Sequence, residues 1–146
     1  MNVKSITKED INNCAHLIGT AYNNPPWNYK WEPGRATRYL NELFESSRFT
    51  GFCIYEGDII AAAMFAHVKT WWINDLLMID ELFVSPQHQG KGYGQKLIDT
   101  AKKFCTEHNI GSITLITNAY MPAASFYKKN GFLQAEQYTL MFNEND

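Results

Sequence analysis

The feature that most constrains this chain lies between Leu76 and Glu107. There a largely apolar run, "LLMIDELFV", leads into the turn "SPQHQGKGYG" and then into an amphipathic stretch. Leu76 to Val84 is too apolar for a half-exposed strand and predicts a central one. Past the turn, Leu97, Ile98, Ala101, Phe104 and Cys105 fall on one helical face, with Lys96, Asp99, Lys102 and Lys103 on the other. Between strand and helix stand Gly90, Gly92 and Gly94. A helix amino terminus presents unpaired N–H groups and the positive end of its dipole, and glycines let that backbone approach a phosphate without Cβ atoms in the way. A buried strand, three glycines with Lys91 among them and an immediate helix therefore predict an anion cradle.

The flanking pattern supplies the rest of a single domain, residues 1–146. Thr7 is placed to cap a helix bearing Ile11, Cys14, Leu17, Ile18 and Tyr22 at helical spacing, with Asp10 completing a capping box. "NNPPW" forces a loop. A second helix follows from about Arg35 to Ser47, with Tyr39, Leu40, Leu43 and Phe44 on its apolar side. "FTGFCIYEGDIIAAAMFAHV" reads as a hairpin turning at Gly57-Asp58. After the glycine helix come a short strand "GSITLIT", a helix "PAASFYKK" ending at Asn130-Gly131, and a last strand from about Leu133 to Asn143. The expected order is α-α-β-β-β-α-β-α-β, a mixed α/β (α+β) fold.

Composition narrows the partners. A net charge of −2 does not favour nucleic acid. Residues 51–90 hold only Lys69 against Glu56, Asp58, Asp75, Asp80 and Glu81, an acidic middle suited to a cationic ligand. Neither a secretory leader nor a membrane span is read in the sequence, so a cytoplasmic protein without a membrane partner is expected. Cys14, Cys53 and Cys105 lack any metal-ligand spacing and are read as buried thiols; no metal is expected.

"Gln89-Gly90-Lys91-Gly92-Tyr93-Gly94" fits neither the P-loop nor the Rossmann spacing but contains Q-x-x-G-x-G. In this it resembles the GNAT (Gcn5-related) N-acetyltransferase family, whose [QR]-x-x-G-x-[GA] signature holds the pyrophosphate of coenzyme A. "NAYMPAASFYKKNGF" resembles the second coenzyme A segment of that family through Asn118, Ala124, Phe126, Tyr127, Gly131 and Phe132. The resemblance implies the GNAT fold, a central and mostly antiparallel mixed sheet flanked by helices, with acetyl-CoA as cofactor and an amine as acceptor. It also implies that the pantetheine arm runs beside Phe83 and Val84 as an added strand.

A thioester and an amine define what the remaining residues have to do. An alkyl ammonium must lose a proton before it attacks. Asp80 and Glu81 are the acids in the central strand, expected on opposite faces by alternation, with Glu81 the preferred base and Asp80 the second choice. The Val84 N–H is placed to meet negative charge developing on the thioester oxygen, and Tyr127 to protonate the leaving thiolate. Trp27, Trp31, His67, Trp71 and Asp75, with Glu81, are candidates to line the acceptor cleft, since aromatic walls with nearby acids suit an amine cation. His88 is expected in solvent. A homodimer through the terminal "YTLMF" is a further expectation. The alternative function is a coenzyme A-binding sensor or regulatory module without turnover.

Overall fold

In the computed structural model, which describes residues 2–145, the chain folds into two compact units, one running to Ile116 and the other from Thr117 onward. Residues 1 and 146, the ends of the expected domain, lie outside the described residues.

The first unit is built on a sheet of five strands in sequence order: β1 (Val3–Ser5), β2 (Phe49–Glu56), β3 (Ile59–Lys69), β4 (Leu76–Val84) and β5 (Ser112–Leu115). The first three pairings are antiparallel; β4 and β5 run parallel, joined by helix α3 (Tyr93–Glu107) as crossover. Helices α1 (Ile11–Tyr22) and α2 (Pro33–Phe44) precede β2. Gly57 at φ 61° makes the β2–β3 turn where the Gly-Asp pair predicted it. Pro33 starts α2 at the position where a missing N–H costs nothing.

One face of the sheet packs on α1 and α2. Ile11, Cys14, Leu17, Ile18, Ala36 and Leu40 meet Cys53, Ala63, Phe65 and Phe83 in one buried cluster. By alternation, Ala62, Met64 and Ala66 turn to the other face, the side on which α3 contributes Leu97, Ile98 and Ala101, all fully buried. Cys14, Cys53 and Cys105 are free and buried; burial pushes the Cys53 thiol up to about 11, and the other two upward as well. Thiols held protonated in this way are core residues, not nucleophiles.

Two elements differ from the sequence expectation. β1 extends the sheet by three residues that are too few to show a periodicity. The last strand, expected over 133–143, does not form: no described residue beyond Leu115 joins the sheet. Alternation alone does not make a strand, because its N–H and C=O groups need a ladder partner. Leu133, Tyr138, Leu140, Met141 and Phe142 are instead strongly exposed.

The second unit centres on α4 (Pro122–Lys129). Asn118 prepares the helix, its side-chain oxygen accepting from the Tyr120 N–H at 2.9 Å and its carbonyl from the Met121 N–H at 3.1 Å. Gly131, at φ 88°, ends it as the sequence predicted.

Candidate active site

Asp80 and Glu81 are where sequence periodicity fails. The ladder pairs Phe65 with Glu81 but Ala66 with Ile79, so Asp80 is an extra residue of β4, a bulge. The expectation that the two acids face opposite ways is thereby corrected. Glu81 accepts a hydrogen bond at 2.6 Å from the Tyr39 hydroxyl of α2. Asp80 Oδ2 meets Nδ1 of His67 at 2.7 Å, and His67 shares the face of Ala63 and Phe65. Both carboxylates thus serve the α1–α2 face. Trp31 stacks on Tyr39 with ring centroids 5.2 Å apart and extends the group toward the loop before α2.

Burial raises the Glu81 carboxyl above the usual carboxylate range; the hydrogen bond from Tyr39 pulls it partway back, and the Asp80 charge raises it again. The Tyr39 phenol is itself driven well above its ordinary value by burial and by the charge of Glu81, so it stays a donor. Tyr39→Phe removes the one contact that favours the Glu81 anion. Its expected result is a further upward shift of the Glu81 titration, read by carboxyl carbon NMR; an unchanged or lowered titration contradicts this placement of the proton.

Tyr39 was legible only as part of an apolar helix stripe. The available signal was its hydroxyl, which needs a partner when the ring is half-buried.

The same strand offers an open edge. β5 pairs with β4 only from Leu76 to Ile79, so among the described residues 80–84 have β3 as their sole strand neighbour in the sheet. The Ser85 N–H donates to the Ala61 carbonyl at 2.8 Å, and main-chain groups alternate sides along a strand. Leu82 and Val84 therefore turn their N–H and C=O groups away from β3. The Tyr22 hydroxyl reaches the Leu82 carbonyl at 3.0 Å and the Gln89 amide reaches that of Val84 at 3.3 Å, both from that side. Phe83 turns its main chain toward β3 and its ring into the core, stacked on Phe65. Of the two residues expected to meet a pantetheine arm, Val84 alone presents main chain to the open edge.

β4 runs through the turn Pro86–His88 into the glycines. Gly90 and Gly92 adopt φ of 78° and 86°, and Gly92 is the residue from which α3 starts. A Cβ added at either would meet nothing within 4 Å, so the backbone there borders open space. Gly94 lies inside the first turn of α3, where the leading N–H groups lack intrahelical partners. Lys91 is exposed, whereas Tyr93 is buried, so its contribution to an anion is restricted to its main chain. These residues fit a phosphate-bearing cofactor. His88, expected in solvent, is buried.

The other acceptor candidates are not gathered around Glu81. Trp27 packs edge-on against Tyr22, Trp71 lies under the Lys69 ammonium at 4.6 Å, and Asp75 is paired with Arg48 at 2.7 Å. A depression of about 490 Å³ is lined by Tyr29, Lys30, Trp31, Glu32 and Arg35 and includes neither carboxylate. In the second unit, Asn118 is exposed, Ala124 is half-buried and Tyr127 is buried against Phe126 and Phe132, with ring centroids at 5.3 and 5.5 Å.

Comparison with known proteins bears on this arrangement. Residues 17–132, which include α1, α2, β4, the glycine turn and α4, match the Acetyltransferase (GNAT) family. The chain belongs to the GNAT family. Among curated GNAT relatives, streptothricin acetyltransferase of Streptomyces lavendulae is 35% identical over 53% of this chain and 40% of its own length. Streptothricin acetyltransferase of Escherichia coli is 41% identical over 44% of this chain and 36% of its own. The matches thus span well under half the length of these relatives. An aminoglycoside acetyltransferase from an uncultured soil metagenomic sample, solved in complex with sisomicin, superposes with a TM-score of 0.72 at 18% identity. That alignment covers 99% of this GNAT chain and 95% of the other, a likeness of fold.

Proposed function

We propose that this chain is an acetyl-CoA-dependent N-acetyltransferase that moves an acetyl group onto a primary amine of a small molecule or peptide. The carrying observation is that β4 combines three things within a few residues: a carboxylate with a raised pKa, an open main-chain edge and a direct run into a glycine turn. Bound acetyl-CoA supplies an activated acyl group.

The chain's residues then divide the work. N–H groups at Gly90 to Gly94 take the diphosphate, with Lys91 adding positive charge. The Val84 N–H, facing the open edge, meets the charge that develops on the thioester oxygen. Glu81 takes the proton of the acceptor ammonium, and its raised pKa brings it closer to that task than an ordinary carboxylate. The C–N bond forms as the C–S bond breaks, and the leaving thiolate takes its proton from Tyr127, a role supported by the "SFYKKNGF" motif. Asp80, paired with His67, adds negative charge on the same face, and Trp31 on Tyr39 offers an aromatic wall to a cation.

Two relatives are named for streptothricin, which makes it the first acceptor to test, followed by aminoglycosides, polyamines and amino acid derivatives. Thiol release from acetyl-CoA is followed with each amine in turn. Release with one class and not the others supports the transferase and names its acceptor. Coenzyme A binding without release on any amine supports the sensor reading instead.

A further inference from the structure

Among the described residues, the one buried side-chain polar atom without a hydrogen-bond partner is Nδ1 of His88. His88 ends the turn that precedes Gln89 and is 8% exposed. Its Nε2 contacts the carboxylate of Glu56, the last residue of β2. The hydroxyl of Tyr93, the first residue of α3, acts on the same carboxylate and leads the effects holding it below the ordinary range, with His88 and Lys91 adding to it. The rings of His88 and Tyr93 meet edge-on at 5.7 Å. One carboxylate, brought in from a hairpin far away in sequence, therefore grips His88 at one end of the glycine turn, and the His88 ring meets Tyr93 at the other, since only residues 89–92 lie between them.

We infer that Glu56 and His88 are a positioning pair that fixes the glycine turn in its phosphate-binding shape. This rests on the transferase reading above. Two considerations lead to it. A turn built on two left-handed glycines has many alternative conformations, and an anion gripped by main-chain N–H groups needs one of them. Moreover, a carboxylate beside an anion cradle is electrostatically unfavourable in itself, so its presence there needs a geometric reason. The groups acting on Glu56 supply one: His88 from the turn is in contact with it, and Tyr93 from α3 and Lys91 from the loop favour its charged form. The sequence hides the pair, because Glu56 reads as an ordinary strand-end acid.

The test is calorimetric titration with coenzyme A on the full chain, alongside thermal melting. Glu56→Ala and His88→Phe are each expected to weaken binding about tenfold, as loss of hydrogen bonds to a charged group would. Glu56→Gln, which keeps an acceptor for His88, is expected to recover affinity to within about threefold of wild type. Glu56 is half-exposed, so Glu56→Ala should fold, and His88→Phe keeps the ring volume as a second route to the same readout. Wild-type affinity in both disruptive variants overturns the inference. So does a Glu56→Gln protein as weak as Glu56→Ala, which would make charge and not hydrogen bonding the operative property. Wild-type protein that binds no coenzyme A overturns the transferase reading itself, and the pair's role with it.

Discussion

Gly92→Glu is expected to lower affinity for coenzyme A by about a hundredfold, the effect of placing one carboxylate about 5 Å from phosphate at a protein surface. The comparison that isolates this effect is Gly92→Ala. Both variants carry the strain of a side chain at φ 86°, roughly 1–2 kcal/mol of fold stability, and neither Cβ meets a neighbour within 4 Å. What differs is the charge. Calorimetry on the two, with melting midpoints to confirm equal strain, reads the repulsion directly. Equal affinity in the glutamate and alanine variants would mean that the open space beside Gly92 takes no anion.

Glu81→Gln has the second large effect, and it runs in two directions. Transfer to the amine falls by about 10²–10⁴, the usual worth of a positioned general base. Stability at pH 7–8 rises. The sign follows from linkage: a carboxyl whose folded pKa lies above its unfolded one favours the protonated fold, so its contribution is full below the unfolded pKa and lost as pH climbs through the folded one. At neutral pH the buried anion is therefore a cost that the neutral amide removes, while the amide oxygen still accepts from Tyr39. Melting midpoints across pH should show the variant's advantage shrinking toward pH 4. An inactive variant that is also less stable at pH 8 would contradict burial as the source of the raised pKa.

The gross fold was legible because its signals are local. Gly57-Asp58 marked the hairpin turn, Pro122 lies at a helix start, and the helical stripe of Leu97, Ile98 and Ala101 became the buried face of α3. The site was legible in its parts and not in its arrangement. Leu77, Ile79 and Phe83 are all buried, so the apolar run of β4 carries no alternation from which an inserted residue could be noticed. Tyr39 stands in a stripe whose other members are simply core, and its bond to Glu81 spans 42 positions in sequence. His88 was misplaced in solvent for a related reason: its burial depends on Glu56 and Tyr93, and a turn rich in glycine and glutamine gives no hint of either. The unformed last strand shows the reverse, a pattern whose partner the sequence cannot supply.

The bulge at Asp80 changes what variation this strand tolerates. In a regular strand every position belongs to one face or the other, and adding or removing a residue turns the remainder over. Here Leu77 and Ile79 keep to the α3 side and Glu81 and Phe83 to the α1–α2 side because Asp80 stands outside the count. Replacing it leaves both cores as they are. Deleting it would join Ile79–Ala66 to Glu81–Phe65 as successive rungs with no side chain inverted. Asp80 is thus a position outside the count of faces beside Glu81, and its side chain can change without turning over the strand around it.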